Sequence, residues 1–443
     1  MISAMAVVGA LTLLVKIAAT AKDVAVANSF GTTDLMDAFL IAFLLPSFVI
    51  TVFAGAVPPA LIPVYVRVLE REGPGSARQL LSSTLLFGAM ILIGVSVLLA
   101  GASSQLLSVV GAGFDAPKLR TTELLLMVLL PGILLQGMST IASAALNARD
   151  RYALPAVTPL LTPLVIVAVI LYPQGWGIYA LVVGTLIGML LEIVLLGGAL
   201  VRRRLIGFPV LRRSHHELRS VWNQYLPALL GSAVMGGAAV VDQFMAAALG
   251  PGSVSFLNYG SKLVIGLLGI GVFALATPLL PLFSRLVEAG SWKGIRSDLQ
   301  SFGKFVMIVT IPGSLLLIYF SEDLVRLLFE RGAFGAGDTA IVSRVQMAYA
   351  LQIPFYVLGI IGVRLLSALG RNRWIMWISA GNLVVNVVAN LVFMHFWGVV
   401  GIALSTSLVY IISCTAIALL VRRSLRPESR EAQTAAQVGS PQQ

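Results

Sequence analysis

Long apolar runs fill most of this chain, and short polar stretches separate them. A helix needs about 20 apolar residues to cross the hydrocarbon of a bilayer. By that rule the sequence predicts twelve spans, at 2–28, 36–66, 80–101, 120–147, 153–172, 176–200, 221–249, 253–284, 302–320, 339–368, 374–394 and 398–421. Several exceed the minimum and contain Pro or Gly. The second carries Pro46, Pro58 and Pro63, which predicts bends or local unwinding against protein or a water-filled cavity. After Arg426 the chain turns polar and Gln-rich, a composition expected to be disordered.

The apolar pattern repeats. "VFAGAVPPALIPVYVRVLE" (52–70) matches "VFALATPLLPLFSRLVE" (272–288) after a two-residue gap. Asp23 and Gly31 fall opposite Asp242 and Gly250, and "ALNARDRY" (145–152) falls opposite "ALGRNRW" (368–374). The spacing is about 220 residues, which leaves six spans in each half. The fold class expected is therefore an all-α polytopic membrane protein, with about 12 transmembrane helices in two parallel six-helix halves around a central cavity. The halves are expected at 1–210 and 211–426, with 427–443 as a cytoplasmic tail. Parallel repeats place a site between the halves near the midplane, as in transporters.

Composition agrees with this reading and adds orientation. Of the 443 residues, 58% are hydrophobic and 11% charged, against about 25% charged in soluble domains. The one cysteine, Cys414, rules out a disulfide framework. The three histidines lack metal-ligand spacing. The net charge of +11 is distributed as topology rather than as a nucleic-acid surface. Every second loop is basic, and those loops and the C-terminal segment hold 21 of the 30 Lys and Arg. The other loops hold Lys118, Arg120, Arg326 and Arg331. Both termini are thus expected in the cytoplasm. The first apolar run lacks the basic flank and cleavage site of a signal peptide.

Five basic residues remain inside spans: Lys16, Lys22, Lys262, Arg344 and Arg364. A charge at the bilayer centre costs roughly 3 kcal/mol on insertion scales. The two arginines lie where they can snorkel from helix ends. The lysines are candidates to meet an anionic substrate, since an ammonium binds phosphate as a point charge. Lys16, Lys22 and Asp23 are expected on one side of the cavity, Asp242 on the other, and Lys262 as a third cation. Lys22 and Asp23 are sequence neighbours, which do not face each other on a helix, so a partner such as Asp37 is expected for Lys22. Asp34 and Asp37 belong near the outer mouth. Asp242 is a candidate for a coupling ion. Asn382, Asn386 and Asn390 recur every four residues and line one helix face. Such rows more often join helices than bind ions. Glu192 lies deep in the sixth span. No Walker A sequence and no nucleophile–base constellation is present, so no enzymatic activity is expected.

The stretches "KDVAVANSFGTTDLMDAFLIAFLLPS" (22–47), "ALNARDRYALPAVTPLLTPLVI" (145–166), "GSVSFLNYGSKL" (252–263), "GIGVFALATPLLPLFSR" (269–285), "LLFERGAFGAGDT" (327–339) and "GIALSTS" (401–407) carry a resemblance. They resemble the MurJ (MviN) lipid II flippases of the multidrug/oligosaccharidyl-lipid/polysaccharide exporter superfamily. The resemblance implies movement of a polyprenyl-diphosphate-linked sugar from the inner to the outer leaflet of the bacterial cytoplasmic membrane. It implies alternating access driven by membrane potential or a Na+ or H+ gradient, with no bound cofactor. Family arginines of the first span correspond to Lys16 and Lys22, the cavity Asp to Asp37, and an arginine of the eighth span to Lys262. Residues of the family's sodium site correspond to Asp242, Asn382 and Asn386. Two departures stand out. The family's basic pair near the end of the second span reads Ile50 and Thr51, with Gly55 at the neighbouring acidic position. The family also carries two further spans beyond the twelve read here.

Three other readings stay open. One is a flippase for a lipid-linked exopolysaccharide or O-antigen-type oligosaccharide. Another is a cation-coupled drug exporter, which the lysines oppose because cationic drugs call for an acidic cavity. The third is a membrane scaffold for cell-wall or polysaccharide synthases. The partners expected are the lipid-linked anionic glycan and membrane lipids, and the chain is expected to be a monomer.

Overall fold

The computed structural model describes residues 2–172, 175–207 and 215–425. The tail expected at 427–443 lies outside them. In a bilayer core every backbone N–H and C=O must be satisfied within the chain, and the apolar runs form helices throughout. In order these are α1 (Ile2–Phe30), α2 (Asp34–Glu72), α3 (Pro74–Gly101), α4 (Ser103–Val110), α5 (Ala116–Leu129), α6 (Pro131–Asn147) and α7 (Ala153–Val157). A 3-10 turn (Thr158–Leu160) leads into α8 (Leu161–Leu171) and then α9 (Tyr179–Arg202). There follow α10 (His215–Ala247), α11 (Ser253–Glu288), α12 (Trp292–Tyr319), α13 (Ser321–Phe329), α14 (Ala336–Ala350), α15 (Ile353–Ala368) and α16 (Asn372–Ser424).

Each of the twelve expected segments falls on helix. Nine helical stretches among the described residues are long and apolar enough to cross a membrane. One of them, α16, is 53 residues long and contains two expected spans. They are separated at Gly398, whose φ of 54° and ψ of −133° interrupt the helix. Large apolar side chains stand on the outer surfaces, such as Leu98, Leu171 and Ile308, each more than two-thirds exposed. That is the expected surface of a protein whose solvent is lipid.

The twofold sequence repeat reappears in the order of elements. The fourth and tenth expected spans are both broken. Pro131 opens α6 directly after α5, and Pro354 lies in the first turn of α15 directly after α14. A short helix follows the third expected span as α4 and the ninth as α13. Gly31 and Gly250, paired by the repeat, both follow a helix end with positive φ.

Two compact units divide the chain by packing: Met1–Ser255 with Leu328–Asp338, and Phe256–Leu327 with Thr339–Gln443. In the first unit α2 is the central helix, packed against α10, α5 and α6. It stays helical through Pro46, Pro58, Pro59 and Pro63, so the unwinding expected there is not seen. Close neighbours on several sides hold the helix where its own hydrogen bonds are missing. In the second unit α15 packs against α12 and α16. The break between α14 and α15 frees carbonyls, and serines from other helices take them up. Ser314 Oγ donates to the Ala350 carbonyl and Ser407 Oγ to that of Ala348, both at 2.6 Å. Pro354 has no N–H for the Ala350 carbonyl, which explains the need for Ser314.

Candidate functional site

The charged residues of α1 are arranged differently from the sequence expectation. Lys16 is exposed on the helix surface. Lys22 Nζ lies 2.8 Å from Asp23 Oδ1, with side-chain exposures of 24% and 15%. The neighbour pair set aside from sequence does form, and Asp37 is not the partner of Lys22. The four-carbon stem of lysine explains this. It swings the ammonium around the helix to the short Asp carboxylate, a reach that Cβ directions alone do not reveal.

Asp37 is enclosed. Its side chain is fully buried in the first turns of α2. Its carboxylate accepts the Gly252 amide at 2.7 Å, the Ser255 amide at 2.9 Å and the Ser255 hydroxyl at 2.6 Å. These donors sit at the start of α11, where backbone N–H groups are unsatisfied and the helix dipole favours an anion. A fourth donor is Lys118 Nζ, 3.1 Å from Asp37 Oδ2 and 2.6 Å from Asp34 Oδ1. Lys118 comes from the first turn of α5, whose backbone is fixed by Asp115 Oδ1 accepting the Lys118 amide at 3.0 Å. Its ammonium lies 4.0 Å from the centre of the Phe114 ring, a cation–π placement.

A second set of bonds lies close by in the chain, between residues 28–32 and 332–338. The Ala333 amide donates to the Asn28 carbonyl at 2.8 Å, and Thr32 Oγ1 donates to Asp338 Oδ1 at 2.5 Å. Asp338 also accepts the Gly335 amide through Oδ2 at 2.9 Å. Gly31 (φ 53°) and Gly332 (φ 56°) sit at the contact, each against backbone oxygen of the other segment. A Cβ on either would overlap that oxygen, so both the backbone angle and the space call for glycine. This gives a physical role to the Gly of "FERGAF".

The remaining candidates take distinct places. Asp242, in α10 of the first unit, is 7% exposed. Lys262 is half-buried on α11 in the second unit. The Asn row of α16 is joined across the break at Gly398. Asn382 Nδ2 donates to Ser413 Oγ at 3.1 Å, Asn390 Nδ2 reaches Asn386 Oδ1 at 3.4 Å, and Ser405 Oγ donates to Asn390 Oδ1. Asn386 and Asn390 are buried. The Asn382–Ser413 and Asn390–Ser405 bonds cross the break, the adhesion that such rows usually supply, while the Asn390–Asn386 bond lies within one segment. Glu192 of α9 is buried and hydrogen-bonded to Gln136 of α6.

Sequence reading missed Lys118, Gly252 and Ser255 as partners of Asp37. Lys118 stood out only as a basic residue in a loop otherwise poor in them. Gly252 and Ser255 lay inside a recognised motif with no sign of what they bind.

Comparison with known proteins converges on one family. The family model described as lipid II flippase MurJ matches residues 26–437. A probable lipid II flippase MurJ of Synechocystis sp. is 25% identical over 436 residues, covering 95% of this chain and 81% of that protein. The lipid II flippase MurJ of Burkholderia cenocepacia is 28% identical over 425 residues, covering 91% and 80%. Among solved structures, a lipid II flippase MurJ in an inward closed conformation superposes with a TM-score of 0.81 at 24% identity, covering 94% of this chain and 87% of that one. An inward-facing multidrug resistance MATE family transporter of the MOP superfamily follows the same fold, with a TM-score of 0.78 at 12% identity over 95% and 97%. With a family-model match over nearly its whole length, the chain belongs to the lipid II flippase MurJ family.

Proposed function

We propose that this protein moves a polyprenyl-diphosphate-linked glycan, lipid II first among them, from the inner to the outer leaflet of the bacterial cytoplasmic membrane. The observation that carries the reading is an exposed ammonium, Lys16, in the apolar helix α1 of a chain of this family. A diphosphate cannot enter hydrocarbon unpaired, because burying a bare charge is prohibitive. An intramembrane cation replaces part of its hydration while the polyprenyl tail stays in lipid. Lys22 and Lys262 are proposed as further contacts, with Asp23 setting the position of the Lys22 ammonium. Both termini are proposed to be cytoplasmic, which puts the Asp34 end of α2 outside. The bonds from Asp37 to the start of α11 then close the outer end, and alternating access requires them to part. Transport is proposed to draw on membrane potential or a cation gradient, by a monomer.

The test is rescue of bacteria depleted of their own lipid II flippase, followed by transport of labelled lipid II in vesicles. Rescue by the parent and its loss in Lys16→Gln, at matched membrane expression, supports the reading. Failure of the well-expressed parent overturns lipid II as substrate. Ile50, Thr51 and Gly55 stand where the resemblance leads one to expect charges, which favours a second reading, a different lipid-linked glycan. Transport of such a glycan by a parent that fails the rescue would establish it.

A further inference from the structure

We propose that Lys118 is a positioning residue for closure of the outer end: its ammonium is the countercharge that allows Asp37 to be buried against the start of α11. This rests on the orientation and alternating access proposed above. Asp37 is fully buried, and three of its four hydrogen-bond donors are the neutral groups of Gly252 and Ser255. Neutral dipoles satisfy the geometry of a carboxylate, and the helix terminus offsets only part of its charge in a low-dielectric site. Lys118 supplies the missing positive charge at 3.1 Å. Its side chain is only 9% exposed, and the Phe114 ring at 4.0 Å shields it from water.

The arrangement favours the closed state over the open one. Lys118 and Asp37 sit on α5 and α2, which pack directly on each other. When the start of α11 leaves, the pair stays together but water reaches it. Attraction between the charges falls steeply as the local dielectric rises. Lys118 therefore contributes more while Gly252 and Ser255 are docked. Asp34, exposed and 2.6 Å from the same ammonium, holds the lysine in place through the cycle.

The test reads exposure of the α11 start rather than transport. Ser253→Cys, in a Cys414→Ser background, places a thiol at a position 7% exposed beside the Asp37 donors. Val254→Cys, fully buried, is a second reporter should the first fail to fold. A membrane-impermeant maleimide is applied from outside intact cells. Lys118→Met is expected to raise the labelling rate at least tenfold. Lys118→Arg is expected to return it to the parent rate. The pair Asp37→Asn with Lys118→Met is expected to lower it well below the single variant, because no buried charge remains to compensate. A role confined to packing would let neither the arginine nor the second neutralisation restore closure. Labelling unchanged by Lys118→Met, or equal in the single and double variants, overturns the inference. The readout needs no substrate, so the expected labelling pattern in a parent that fails lipid II rescue would overturn the substrate reading alone.

Discussion

The carbonyl oxygen of Asn28, near the end of α1, accepts the amide of Ala333 at 2.8 Å. The two residues are 305 positions apart in sequence. The bond forms only because Gly31 and Gly332 let the two backbones approach.

Gly332→Ala tests that fit. The new methyl would demand a strained φ and overlap the Asn28 carbonyl, at a cost of about 1–3 kcal/mol. A lowered thermal midpoint in detergent is expected. Gly335→Ala is the control, since its Cβ would meet open space and its φ is not positive. Its effect should stay within about 0.5 kcal/mol.

Lys16→Gln should separate function from stability. Lys16 is exposed and makes no salt bridge among the described residues, so the midpoint should move by less than about 0.5 kcal/mol equivalent. Transport of labelled lipid II should fall at least tenfold. A shifted midpoint with transport intact would make the residue structural.

The Lys22–Asp23 pair calls for a double-mutant cycle. Partial exposure of both side chains limits their coupling to about 0.5–1 kcal/mol, read from the midpoints of Lys22→Gln, Asp23→Asn and the double variant. Transport should be lost in Lys22→Gln and in the double variant. Asp23→Asn should retain part of it, because the cation that meets the diphosphate survives.

Asn390→Ala should destabilise by about 1 kcal/mol, the net worth of the buried bonds it makes with Asn386 and Ser405, since the Ser405 hydroxyl keeps the Ile402 carbonyl at 2.8 Å. Asn382→Ala should cost less, since Asn382 is only half-buried. Because these amides already bond one another and nearby serines, the midpoint is expected to be equal in sodium and potassium buffers. A sodium-specific rise that disappears in Asn386→Ala would instead assign the row to a coupling ion.

The hydrophobic pattern made the helices legible because span length is a local property of the chain. Residues 374–394 and 398–421 read as two spans, and the structure breaks them at Gly398. The interruption at Pro131 was not read, since an apolar run looks alike whether its helix is continuous or broken. The Lys22–Asp23 pair was misjudged because periodicity describes Cβ directions and not the reach of a lysine. Asp37 was recognisable as an unusual charge, but its partners lie 81 to 218 residues away. No spacing rule encodes such a pairing. The Asn row was legible as a face, because a four-residue recurrence maps directly onto one side of a helix.

The four prolines of α2 have a mechanical consequence. Each lacks the N–H that would tie it to the carbonyl four residues earlier. Pro46, Pro58, Pro59 and Pro63 therefore remove the rungs to Ala42, Ala54, Gly55 and Pro59. Three of those rungs are lost within a few turns. The bending stiffness of a helix resides in such rungs, so α2 is a rod with a compliant section over 54–63. While α10, α5 and α6 brace it the section stays helical; were those neighbours to shift, bending would concentrate there, and the segment around Asp37 would tilt without the rest of the helix having to unfold.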